Sequence, residues 1–139
     1  MRDWSPVATS RYQDHVIAHV LGATALGHFV IDDAAYVLLD IALIWTIYTS
    51  GEMDLMPQAV VISDLEAEDE VKRELLADLE KLHRGETGQL ARMAPTECLI
   101  SDVKVYAQGE CRRVVLECED ESLIVEGTPE SGRMRLFSN

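Results

Sequence analysis

The sequence predicts an α+β domain: N-terminal helices, two apolar and one amphipathic, packed on one face of a C-terminal four-stranded antiparallel meander. Three observations lead there. A nearly uniform apolar run covers residues 15–50. A one-sided helical stripe follows, made of Val71, Leu75, Leu79 and Leu82. Beyond Leu99 the hydrophobic period then shortens from helical to two. Helices first and strands after is the α+β order. At 139 residues the chain reads as a single domain over 1–139, with a helical part at about 5–84 and a sheet part at about 97–137.

Ser5-Pro6 is a helix start, a capping hydroxyl followed by proline in the first turn. Ser10 with Gln13 offers a second start of capping-box type. Either way the first helix runs to about Leu26, with Gly27 near its end. Asp32 or Asp33 caps a second helix, from Ala34 to about Thr49, closed by Gly51. The β-branched and aromatic content of Ile41–Thr49 leaves a strand open there. Gly51–Gln58 reads as a turn and Ala59–Ile62 as a short buried strand. Ser63-Asp64-Leu65-Glu66 is a capping box, and it opens the amphipathic helix that ends at Gly85. Glu68–Lys72, Asp69–Arg73 and Glu80–Arg84 are favourable four-residue pairs on its solvated faces.

After the loop around Gly85–Pro95, Leu99, Val103 and Val105 alternate with polar neighbours, and so do Val114, Leu116 and Cys118. Leu123 and Val125, then Met134 and Leu136, complete four strands joined by short turns at Gln108-Gly109, Glu119–Glu121 and Gly127–Gly132. Glu97, Glu110, Glu117 and Glu126 read as the wet face of that sheet.

Charge excludes some functions. The net charge of −13 argues against nucleic acid, whose phosphates are bound by Lys and Arg, and against anionic membrane surfaces. Residues 1–50 hold two basic and five acidic residues, against ten and twenty in 51–139, so the first third is the buried part. Met1–Asp14 carries four charges and no leading apolar run, hence no signal peptide. Cys98, Cys111 and Cys118 form no CxxC pair and no even set. They read as buried, reduced thiols, which places the protein in the cytoplasm.

Six polar residues interrupt the apolar run: His15, His19, His28, Asp32, Asp33 and Asp40. A membrane hairpin fits poorly. His15–Ile31 is 17 uncharged residues, short of the roughly 20 needed to span, and Asp40 would cost about 3 kcal/mol at mid-bilayer. His15 and His19, four apart, share one helix face, the spacing that zinc sites use, with Asp40 or His83 as a third ligand. On one straight helix His28 would point about 140° away from His15. The structural alternative makes Asp32 and Asp33 caps and gives the histidines partners on another helix or a second subunit.

No nucleophile elbow and no phosphate-binding glycine loop is present, so nothing in the sequence points to catalysis and no cofactor is expected. The sequence favours an acidic binding or regulatory domain that acts through a protein partner or as a homodimer. A second expectation is a small-ligand or metal pocket between the first two helices, lined by His15, His19, Asp40, Trp45 and Tyr48, with His15 and His19 as metal ligands. A third is an acidic chaperone or inhibitor of a basic partner, with salt-sensitive binding.

Overall fold

The structure, a computed structural model, describes residues 3–94, 98–119 and 121–138. Pro95, Glu97 and Asp120, which the sequence placed in the loop, the sheet and a turn, lie outside the described residues. Among the described residues the chain forms ten strands and three helices in two five-stranded antiparallel sheets. The expected helices on a four-stranded meander are thereby overturned.

The chain opens with β1 (Ser5–Pro6), so Ser5-Pro6 starts a strand edge rather than a helix. Helix α1 (Arg11–Val20) begins at the second candidate start, with Ser10 and Gln13 exchanging both capping-box bonds. It stops at Leu21, well short of Leu26. The expected second helix, from Ala34 to about Thr49, is instead two strands and the turn between them. β2 (Ala25–Ile31) turns at Asp32-Asp33 into β3 (Ala34–Leu39), which turns at Asp40–Ala42 into β4 (Leu43–Tyr48). Asp32 and Asp33 therefore form a hairpin turn, not a cap, and Asp32 takes a left-handed φ of 53° that aspartate tolerates.

β5 (Met53–Pro57) replaces the expected turn, and α2 (Gln58–Asp64) replaces the expected short strand. The Ser63–Glu66 box does not open the next helix. Ser63 and Asp64 end α2, and α3 (Asp69–His83) starts after Glu68 without a side-chain cap. β6 (Arg92–Met93) follows, then β7 (Asp102–Gln108), β8 (Cys111–Glu117), β9 (Ser122–Thr128) and β10 (Arg133–Ser138).

The first sheet runs β5-β4-β3-β2-β6 and the second β1-β7-β8-β9-β10. Alternation along β3 and β4 explains the layers. Ala35, Val37, Leu39, Trp45 and Ile47 face the second sheet, where they meet Val105, Val114, Leu116, Leu123 and Val125. Leu38 and Ile44 face the other way, onto Ile62, Leu75, Leu79 and Leu82 of the helices. Each fully buried side chain of this kind stabilises by about 1.5–3 kcal/mol. Over much of its area the first sheet is thus covered on both faces, which is why its strands read as nearly unbroken apolar runs. Helix α1 contributes Val16 and Val20 to the core between the sheets, and Gln13 there donates to the Gly51 carbonyl at 2.8 Å.

At Gly127 the second sheet lies directly against the backbone at the end of β4. A Cβ on that residue would lie 2.5 Å from the Thr49 Cα, so only glycine fits. The thiols also differ from expectation. Cys98 and Cys118 are joined as a disulfide, and Cys111 is free. The 98–100 segment is hydrogen-bonded to Gly22, Ala23 and Ala25 beside β2, so the bond ties that end of the first sheet to the end of β8.

Candidate functional site

The helices do not cover the whole outer face of the first sheet. Register places Phe29, Tyr36, Thr46 and Asp54 in one row across β2, β3, β4 and β5. Phe29 is packed under the helices, stacked on Tyr36 with ring centroids 4.7 Å apart. From Tyr36 onward the row borders open space, with Tyr36 and Asp54 half-buried. Its residues floor a cleft of about 680 Å3 between the Asp32-Asp33 turn and the end of α2.

Acid and apolar groups are interleaved around it. Asp32, Asp33, Asp54, Asp64 and Glu66 supply carboxylates; Ile31, Met56, Val60, Val61 and Leu65 supply the apolar lining. Asp54 accepts from the Tyr12 hydroxyl at 2.8 Å and from the Tyr48 hydroxyl at 3.2 Å. Burial and then the Asp54 charge push the Tyr48 phenol up to about 12. Burial, with Asp33 and Asp32 nearby, raises Tyr36 as well. Both phenols therefore stay protonated donors at neutral pH. Thr46 is only 4% exposed, and its side chain makes no hydrogen bond among the described residues. Its hydroxyl is a donor and acceptor on the cleft floor.

The residues predicted from sequence fall in four places. Tyr48 lines this cleft. Trp45, on the opposite face of β4, is fully buried between the sheets, and its indole Nε1 has no hydrogen-bond partner among the described residues. Asp40 sits exposed in the β3–β4 turn and accepts from the Thr24 amide at 3.0 Å. His15 and His19 lie on the exposed side of α1, their rings 4.5 Å apart, with His19 Nδ1 2.9 Å from the His15 carbonyl oxygen. The five residues are not brought together, and the second helix of the expected interhelical pocket is a strand pair. Among the described residues no group of three or more His, Cys, Asp or Glu side chains is placed to hold a metal ion. No helix among them is long and apolar enough to cross a membrane.

Two other depressions exist. One, between β6 and the end of β10, holds His28, whose imidazole is pushed down to about 4 by burial and by Arg92. The other lies beside α3, where His83 Nε2 stands 3.3 Å from Gln58 Oε1. Neither gathers charge of one sign as the cleft does.

Sequence reasoning missed Tyr36, Thr46, Asp54 and Asp64. A signal existed. Read as strands, Thr46 and Tyr48 share a face of β4, and Asp54 and Met56 share a face of β5. The chain matches no protein-family model, and no curated protein or solved structure is significantly similar to it.

Proposed function

We propose that the protein is a binding domain whose cleft takes a basic, partly apolar segment of a protein partner, and that it works as a homodimer. The cleft supports the first part: its five carboxylates and two protonated phenols are interleaved with an apolar lining. A lysine or arginine side chain has matching chemistry. Its alkyl stem packs on Met56 and Val60, while its cationic head reaches the carboxylates and the tyrosine rings. The net charge of −13 adds long-range steering of such a partner. This reading joins the binding-domain expectation with that of an acidic protein that covers a basic partner. The cytoplasmic location expected from the thiols loses its ground with the Cys98–Cys118 bond, because persistent disulfides belong to oxidising compartments.

Fluorescence anisotropy with a peptide that alternates lysine and leucine tests the cleft, with its glutamate counterpart as control. Binding is expected for the lysine peptide alone, weakening as salt rises from about 50 to about 500 mM. Asp54→Asn with Asp64→Asn should weaken it by about tenfold, the sum of two partly screened charge contacts. Equal affinity for both peptides, or no effect of the double variant, would refute the reading.

A further inference from the structure

The four sheet edges are unequal. β1 is two residues long and includes Pro6, which has no N–H to offer. β6 also has two residues, and β5 ends in Pro57 beside α1 and α2. β10 is different: six residues without proline, paired to β9 on one side and to no described strand on the other. A long unpaired edge is a template for another strand.

We propose that β10 pairs antiparallel with β10 of a second copy, about a two-fold axis through Leu136, joining the second sheets of both copies into one continuous sheet. This rests on the homodimer reading above and says where that dimer forms. The register follows from symmetry and charge. Residues directly opposite in an antiparallel pair share a face of the sheet, so a two-fold axis that preserves the faces must pass through a residue pair. An axis at Arg133 or Arg135 sets that arginine against itself, and an axis at Met134 sets Arg133 against Arg135. Like charges directly opposite destabilise a pair.

An axis at Leu136 removes every such conflict among the described residues. It sets Arg135 against Phe137 of the second copy, Phe137 against its Arg135, and Met134 against its Ser138. Within one chain the Arg135 guanidinium already lies 4.8 Å from the Phe137 ring centroid, so the pairing repeats across the interface a contact each chain makes alone. On the inner face, Leu136 and Met134 already pack against the core, and the two Leu136 side chains continue that layer across the joint. An axis at Phe137 leaves fewer residues opposed. A single strand pair is at the small end of protein interfaces, so the expected dimer is micromolar and dissociates on dilution.

Sedimentation equilibrium of the full chain over roughly 1–500 μM tests this, that range bracketing a micromolar constant. The natural sequence should dimerise. Phe137→Arg should weaken the dimer about tenfold or more, because both cross-copy contacts become like-charge pairs. The double variant Arg135→Phe/Phe137→Arg exchanges the two partners and should restore it. Thermal melts report whether each variant is folded. Independently of any substitution, hydrogen exchange at β10 amides should slow as protein concentration rises. A monomer at every concentration overturns this proposal and the homodimer reading together. A dimer that ignores Phe137→Arg, a double variant that stays monomeric, or β10 exchange that ignores concentration overturns the β10 pairing alone.

Discussion

Asp78 is fully buried at 0% exposure, on the inner side of α3, and carries a charge. Its carboxylate accepts from three consecutive backbone amides: Gln89 at 2.7 Å, Leu90 at 2.8 Å and Ala91 at 2.9 Å. It thereby pins the segment between α3 and β6. Gly88 shows how tight the seat is, since a Cβ there would lie 2.6 Å from the Asp78 Cγ. Burial alone would raise the Asp78 carboxyl, but the amides of Ala91, Gln89 and Leu90, with Lys81 nearby, outweigh it and hold the group below the usual carboxylate range.

Asp78→Ala removes both acceptor oxygens and with them all three hydrogen bonds. Hydrogen bonds to a charged group contribute about 1.5–3 kcal/mol each. Gln89 and Leu90 are exposed, so their amides can turn to water, whereas Ala91 is 2% exposed and its amide stays unpaired. The expected loss is therefore about 3–4 kcal/mol rather than the threefold sum. For a chain of this size that lowers Tm by roughly 10 °C. Asp78→Asn keeps one acceptor oxygen and should cost about half as much.

The pH dependence has a definite sign. A carboxyl depressed in the folded state stabilises fully above its unfolded value of about 3.9, and the contribution is lost as pH falls through the folded value. The gap between the natural protein and Asp78→Asn should thus be constant near neutrality and close in acid. Urea unfolding at several pH values measures it, and hydrogen exchange at residues 89–91 should become fast in both variants. A Tm change under about 2 °C for Asp78→Ala, or a gap that widens in acid, would refute the reasoning.

Three further outcomes are expected. Gly127→Ala should cost about 1–3 kcal/mol, because the new Cβ would meet Thr49 backbone that cannot step aside; an unchanged urea midpoint would mean the sheets do not meet there. NMR titration should find His28 at about 4, and His28→Gln should flatten the rise of stability with pH between about 4 and 6.5, since the unfolded state binds the proton more tightly; an ordinary midpoint refutes the burial argument. Replacing Cys98 and Cys118 by serine should cost about 3 kcal/mol, from a closed loop with a sequence separation of 20; equal stability with and without reductant would count against the bond.

Particular residues show why some elements were readable in one dimension. The Ser10–Gln13 box starts α1 because capping needs only four residues of local geometry. The stripe from Leu75 to Leu82 is legible because α3 has one wet side, and β7 to β10 alternate because the second sheet leaves its outer face to solvent. Between residues 25 and 57 that contrast disappears. Val37, Leu38 and Leu39 are all at most 1% exposed because helices lie on one face of β3 and a sheet on the other. A strand buried on both faces has no period to read. A register shift between Ala25 and Gly27 breaks the alternation further.

The candidate site was less legible still, because it is made by register. Tyr36, Thr46 and Asp54 are ten and eight residues apart in sequence and become neighbours only when β3, β4 and β5 pair as they do. By itself, the sequence determined the acidic balance, the capped start of α1, the amphipathic helix and the alternating strands after Leu99, all set by local or single-face chemistry. Only the tertiary structure decided that the apolar run is largely sheet, that His15 and His19 face solvent while His28 is half-buried and Trp45 is enclosed, and that scattered carboxylates converge on one cleft. The physical reason is burial on two faces: it erases the pattern that a sequence shows and leaves the arrangement to long-range packing.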